Sequence, residues 1–245
     1  LMDVAGLVQG ASEGKGLGNK FLDNLREADV FLQIVDISGT TDSEGKEGTG
    51  DPVEDVKMLE TELSKWYRAI FEKVWEKMSR SLQTTKSDFA KAVATQFSGL
   101  KVKEDDVKRV LIQLKLDPEK PLGWSNEDLN NFTKTLRHAT KPMIIAANKI
   151  DKPNAQENLE RLKKEFPEIK IIPCSADAEL SLRQAANAGI IEYTQGDKTF
   201  KINEDKVNDK QKTALESIQE NVLDKFGGTG VQEVLDYAVF NLLKY

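Results

Sequence analysis

The sequence predicts a doubly wound, mostly parallel α/β sheet that is interrupted by a helical insertion. Short apolar runs at 30–36, 143–147 and 169–173 are typical of buried parallel strands. A helical apolar pattern over 154–166 separates the last two runs, and alternation of strands with helices favours this fold class. Ligands of such sheets bind at the carboxyl ends of the strands, so polar residues that follow these runs are candidates for a binding site.

The insertion is predicted from the length of chain between the sheet segments. Two strand–helix units need only roughly 60 residues, which is much less than the distance along the chain between the two polar motifs described below. We therefore predict a first part of the sheet domain at 1–63, a helical insertion at 64–138, and a second part of the sheet domain at 139–245, with helical elaboration near 178–226 and helices at 208–226 and 231–243.

Helical periodicity supports this placement. Apolar residues recur at i, i+3 and i+4 spacing over 66–82, which predicts a long amphipathic helix, and a second helix is predicted around 107–114. Ser125 and Asp128 resemble a capping box at the start of a third helix. We expect these helices to form a hairpin-like subdomain.

The insertion differs in charge from the rest of the chain. It holds 15 Lys and Arg against 10 Asp and Glu, whereas the whole chain has a formal net charge of −6. A basic insertion favours an anionic partner, with RNA the first candidate and no DNA expected, although the same charges could simply solubilise the helices. The candidate RNA-binding residues on the first helix are Lys65, Arg68, Lys73, Lys77 and Arg80.

Composition excludes several other classes of protein. The chain has one cysteine, Cys174, and one histidine, His138, which excludes an internal disulfide framework and a Cys/His zinc site. We expect Cys174 to fill the core and His138 to be a surface residue. No apolar run is long enough to span a membrane, and a reducing cytoplasm is the expected location.

The first polar motif is Asp3-Val-Ala-Gly6, a DxxG pattern. In this pattern Asp3 would hold Mg²⁺ through a bound water molecule, and the backbone N–H of Gly6 would contact a γ-phosphate. A strand that ends in a turn would give the same pattern. Leu7 stands where many GTPases carry a glutamine that orients the attacking water, so no catalytic residue is assigned and hydrolysis is expected to be slow or assisted.

The second polar motif is Asn148-Lys149-Ile-Asp151, an NKxD pattern that follows a predicted strand. The carboxylate of Asp151 can accept two hydrogen bonds from the N1–H and amino groups of guanine, and adenine offers no such pair of donors. Asn148 would contact the base edge and join neighbouring loops, and the stem of Lys149 would cover the base. Ser175 and Ala176, which follow the next strand, would offer backbone N–H groups to guanine O6.

A phosphate-binding loop is the element that these motifs normally accompany. The pattern GxxxxGK followed by Ser or Thr does not occur in the 245 residues, and Met stands second after Leu1. We therefore expect the natural protein to continue upstream, and we expect the chain by itself to be inactive.

The run 3–22 closely resembles the YchF branch of the Obg family, and 51–56 is similar to the family's entry into its helical insertion. The resemblance implies a translation-factor-class GTPase that uses Mg²⁺ with GTP or GDP, a coiled-coil insertion and association with the ribosome. The family's phosphate-binding loop and its carboxyl-terminal TGS domain have no counterpart in the sequence. Asp151, in place of the Glu of ATP-preferring relatives, resembles the archaeal branch. The alternative is a non-catalytic RNA- or protein-binding module that acts through the basic insertion.

Overall fold

The computed structural model describes residue 2, residues 25–42 and residues 46–245. These residues form two compact units. The helical unit contains the described residues up to 31 together with 57–142, and the sheet unit contains 32–56 and 143–245. The predicted α/β class with a parallel sheet is confirmed. In the described parts of the chain, no helix is both long enough and apolar enough to cross a membrane.

Over its described residues 57–142, the helical unit contains one long helix and three shorter ones. The shortest of these was not predicted, so the insertion is more elaborate than the expected hairpin. This helix begins where the side chain of Asp88 accepts a hydrogen bond from the backbone N–H of Lys91, which caps its amino terminus. The capping box of Ser125 and Asp128 is confirmed. The four helices are α1 (Pro52–Thr85), whose residues 52–56 belong to the sheet unit, α2 (Phe89–Gln96), α3 (Glu104–Leu114) and α4 (Asn126–Thr140).

Aromatic side chains form the centre of the helical unit. Phe71 of α1 is fully buried and stacks on Phe97 with ring centroids 3.7 Å apart. Its ring also meets Phe132 of α4 edge to face at 5.9 Å, and Trp124 meets Phe132 at 5.1 Å. Aromatic pairs of this kind stabilise a core by more than the burial of their surface alone would, so these contacts hold α1 and α4 together.

The sheet unit contains a three-stranded sheet in the order β1-β2-β3. Strands β2 and β3 are parallel, and Ile145 lies opposite Ile171. Their apolar residues and the helix between them make one buried cluster, which fixes the strand ends in place. The strands are β1 (Phe31–Asp36), β2 (Met143–Asn148) and β3 (Lys170–Pro173), and the helix is α5 (Ala155–Glu165).

A second cluster of the sheet unit follows β3 along the chain. The stretch around 199–202, for which the sequence predicts no strand, contributes one strand of a short antiparallel hairpin. The predicted helices at 208–226 and 231–243 are confirmed, each with a π-helical segment. The elements are α6 (Ala176–Asn187), β4 (Ile191–Glu192), β5 (Lys201–Ile202), α7 (Asp209–Ile218) continued by Gln219–Leu223, α8 (Asp224–Phe226), and α9 (Val231–Asp236) continued by Tyr237–Leu243.

Candidate nucleotide-binding site

The carboxyl ends of β2 and β3 bring the residues of the second motif together. Because the strands are parallel, both ends lie at one edge of the sheet. The hydroxyl of Ser175 donates to Oδ1 of Asp151 at 2.8 Å. The backbone N–H of Ala176 donates to Oδ1 of Asn148 at 3.0 Å. A third hydrogen bond, from the backbone N–H of Ile150 to the carbonyl oxygen of Cys174 at 3.0 Å, also joins the loop after β2 to the loop after β3. This is the place where sheets of this type bind ligands.

One carboxylate oxygen of Asp151 accepts the hydrogen bond from Ser175, and the Asp151 side chain is 22% exposed. Ser175, which orients it, is buried and is the N-cap residue of α6, so its hydroxyl also accepts a long hydrogen bond from the N–H of Ala178. Oδ2 of Asp151 lies 3.3 Å from Nζ of Lys152. A fixed, accessible carboxylate of this kind can accept hydrogen bonds from a pair of adjacent donors.

Lys149 has a left-handed backbone conformation and pairs with a partly buried carboxylate. Its φ of +65° lies in the left-handed region, and its Nζ is 2.8 Å from Oδ2 of Asp36, the last residue of β1. Asp36 also accepts hydrogen bonds from the N–H and hydroxyl of Ser38, at 3.0 and 2.5 Å, and from the hydroxyl of Thr41 at 2.7 Å. Burial raises the pKa of Asp36, but the hydrogen bonds from Lys149, Ser38 and Thr41 outweigh this and hold the pKa well below its usual range. Asp36 is therefore an ionised anchor for the Lys149 side chain.

Asp36 was not predicted as a site residue. Its sequence signal is a carboxylate at the end of an apolar run, followed by hydroxyl residues at 38, 40 and 41. Ala176 also has an arrangement that the sequence does not show, because its N–H, expected to face a base, is engaged by Asn148. Asn148 thereby joins the two loops.

Asp3, Gly6 and Leu7 lie outside the described residues, so the predicted contacts with Mg²⁺ and phosphate stay predictions. Within the ranges that the structure describes, no group of three or more His, Cys, Asp or Glu side chains could hold a metal ion.

The cationic candidates of α1 do not share one environment. Arg68 is only 13% exposed at its side chain, because its Nε pairs with Glu72 at 2.9 Å and its Nη2 donates to Oδ1 of Asn126 at 2.7 Å. The side chain of Arg68 thus joins α1 to the start of α4. The exposed candidates are Lys65, Lys73, Lys77 and Arg80.

His138 is not simply a surface residue. Its Nε2 lies 2.9 Å from Oε2 of Glu60, and the same oxygen pairs with the guanidinium of Arg137, which is 1% exposed. Burial raises the pKa of Glu60, but the hydrogen bond from His138 and the charge of Arg137 outweigh this effect, so the pKa lies below its usual value. Cys174 is buried as expected, and burial raises the pKa of its thiol to about 12, with a smaller contribution from the charge of Glu233.

Comparison with known proteins finds similarity to one family of GTPases. A family model described as "Obg-like GTPase YGR210-like, G4 motif-containing domain" matches residues 146–245. An uncharacterized GTP-binding protein of Methanocaldococcus jannaschii is 49% identical over 244 residues, which are 99% of this chain and 61% of the relative. The chain is therefore similar to the Obg-like GTPase family. An uncharacterized GTP-binding protein of Schizosaccharomyces pombe is 35% identical, and the alignment covers 98% of this chain and 60% of that relative.

One solved structure is also similar to the chain. The crystal structure of a GTP-binding protein from Pyrococcus horikoshii OT3 superposes with a TM-score of 0.73 at 41% sequence identity. The match covers 91% of this chain and 60% of that protein. The chain thus spans about three fifths of the length of these relatives.

Proposed function

We propose that this Obg-like chain carries the base-recognition part of a guanine-nucleotide-binding protein. The observation that supports the proposal best is the hydrogen bond of Ser175 to Asp151 at the carboxyl edge of the sheet, because it fixes a carboxylate that is still accessible. Guanine presents N1–H and an amino group side by side, and one carboxylate can accept from both. The stem of Lys149, whose ammonium is anchored at Asp36, would lie along the base.

A substitution that reverses one hydrogen bond tests this assignment. Asp151→Asn places an NH₂ donor where the carboxylate has an acceptor. Xanthine carries a carbonyl oxygen where guanine carries its amino group. In the full-length protein the variant should therefore bind GDP at least about ten-fold more weakly and xanthosine diphosphate more tightly than the wild type does, because hydrogen bonds to charged groups contribute about 1.5–3 kcal/mol.

Isothermal titration with GDP, ADP and xanthosine diphosphate measures these preferences. Asp177→Asn is the matched control, since Asp177 is an exposed carboxylate in the first turn of α6 and should leave the order of affinities unchanged. Equal affinity of the wild type for GDP and ADP would contradict the proposed function and would favour the non-catalytic binding module instead.

We further propose slow hydrolysis of GTP with Mg²⁺, supported by the Asp3-to-Gly6 motif and by the match of residues 146–245 to an Obg-like GTPase family. Mg²⁺ would neutralise charge on the phosphates. Leu7 can neither donate nor accept a hydrogen bond, so it cannot orient the attacking water. The 245-residue chain alone should release no measurable phosphate, because most charge stabilisation in such sites comes from a phosphate-binding loop. Phosphate release from GTP by the purified chain at its own mass of 27.4 kDa would contradict this.

We also propose that the helical unit contacts an anionic partner, with ribosomal RNA as the candidate and the cytoplasm as the location. The supporting observation is the exposure of Lys73 and Lys77 on α1. Reversing both to Glu should weaken co-sedimentation with ribosomes, and binding by the wild type should fall steeply with salt. Reversing exposed Lys163 and Lys164 of α5 is the control. Unchanged co-sedimentation of the folded Lys73 and Lys77 variant would leave these lysines a solubilising role only.

A further inference from the structure

A buried carboxylate, that of Glu179, lies near the start of α6, the helix whose N-cap residue is Ser175. Glu179 is 3% exposed, and its carboxylate accepts three hydrogen bonds. Nε of Arg183 donates to Oε1 at 2.6 Å, and the hydroxyls of Tyr193 and Thr229 donate to Oε2 at 2.8 and 2.5 Å. Burial raises the pKa of Glu179, but the hydrogen bonds from Thr229, Arg183 and Tyr193 outweigh it and lower the pKa, so the group is a carboxylate at neutral pH.

Thr229 connects this carboxylate to the loop after β3. The residue is 1% exposed, and its backbone carbonyl accepts a hydrogen bond from the N–H of Ser175 at 2.9 Å. The next residue, Gly230, has φ of +77°, and a Cβ atom there would lie 1.9 Å from the carbonyl oxygen of Pro173. The loop that carries Thr229 can therefore approach the end of β3 this closely only with glycine at 230.

These contacts form one continuous chain of hydrogen bonds. Glu179 fixes the side chain of Thr229, the carbonyl of Thr229 fixes the backbone of Ser175, and the hydroxyl of Ser175 fixes Asp151. Glu179, Thr229 and Ser175 are almost fully buried, so this hydrogen-bond network has few alternative arrangements. We propose that Thr229 and Glu179 are positioning residues that set the orientation of the base-recognising carboxylate of Asp151, an inference that rests on the proposed function.

A network that only stabilises the fold would respond differently to the loss of a hydrogen bond. In that case, loss of the Thr229 hydroxyl would lower stability without changing which base is preferred. If the network positions Asp151, its loss should act on the hydrogen bond to the guanine amino group. Inosine lacks that amino group, so the ratio of the affinities for GDP and inosine diphosphate reports this contact directly.

Thr229→Val is the test, because it removes the hydroxyl but keeps the shape and the backbone carbonyl. In the full-length protein the ratio of GDP to inosine diphosphate affinity should fall by about five-fold, in the range found for residues coupled through one network. Thr229→Ser restores the hydroxyl and should restore the ratio. Leu215→Ala is the matched control, because it weakens a buried cluster of the same unit and should lower stability with no change in the ratio.

The outcomes separate the two proposals. A wild type that prefers GDP over inosine diphosphate and ADP, together with a folded Thr229→Val variant that keeps the full ratio, would overturn the positioning role alone. A wild type with no preference for GDP would overturn the proposed function, and the positioning role with it. Glu179→Gln provides a second test, since it weakens the same network from its other end and should lower the same ratio.

Discussion

Lys141 gives the sharpest prediction about stability, because it is a fully buried cation. Its exposed fraction is 0%, and its Nζ donates to the carbonyl oxygens of Arg26 at 2.6 Å and Ala28 at 2.5 Å. Burial lowers the pKa of Lys141 to about 8, helped by the charge of Lys101 and opposed by that of Asp29. The charged form is thus less favourable in the folded protein than in the unfolded chain.

The direction of the pH dependence follows from proton binding. Between pH 8 and the unfolded-chain pKa of 10.5, the unfolded state binds more protons at this lysine than the folded state does. The free energy of unfolding therefore rises with pH in this window, by up to about 1.4 kcal/mol per pH unit. From pH 7.5 to pH 9 the contribution of Lys141 is about 1.2 kcal/mol. This contribution is lost again as pH falls through 8.

Lys141→Met removes the titration while keeping the length of the side chain. Urea unfolding followed by tryptophan fluorescence reports on the helical unit, because all three tryptophans belong to it. The difference in the free energy of unfolding between the wild type and the variant should grow by about 1 kcal/mol in favour of the wild type from pH 7.5 to pH 9. Comparing two proteins cancels the titration of other groups. Lys134→Met, at an exposed lysine of α4, is the control. A difference that stays constant across this range would refute the reasoning.

Three further substitutions test the packing by urea unfolding. Glu60→Gln removes the charge partner of buried Arg137 and should cost about 3–5 kcal/mol, and the wild type should lose part of this advantage at acidic pH because the pKa of Glu60 is lowered in the folded state. Gly230→Ala should cost more than about 2 kcal/mol, because its Cβ would meet the carbonyl oxygen of Pro173. Phe71→Ala should cost about 3–5 kcal/mol, because it empties the centre of the aromatic cluster. A loss below about 1 kcal/mol in any of these variants would contradict its reasoning.

The sheet could be predicted from the sequence because its signals are local. The run 143–147 is buried along its whole length, and strand β2 occupies it almost residue for residue. The capping box at Ser125 is also a local pattern, and the structure has the same helix start. Helix α2 was missed because it has only 8 residues, so helical periodicity repeats too few times to give a clear signal. The candidate base site was predictable only as far as its motifs extend.

What the sequence could not show are the partners of buried charges. Lysine and glutamate are almost never buried without partners, so a sequence alone places Lys141 and Glu179 on the surface. Their partners lie far along the chain, as Thr229 does from Glu179, and no local spacing connects them. A buried charge is costly unless every hydrogen bond is made, and each such residue therefore fixes the backbone around it. In the sheet unit the partly buried carboxylate of Asp36 holds Lys149. The buried carboxylate of Glu179 holds the loop of Ser175 through Thr229, so both carboxylates act on residues of the candidate base site. Charges that hold recognition residues are expected to influence which base is preferred as well as how stable the fold is.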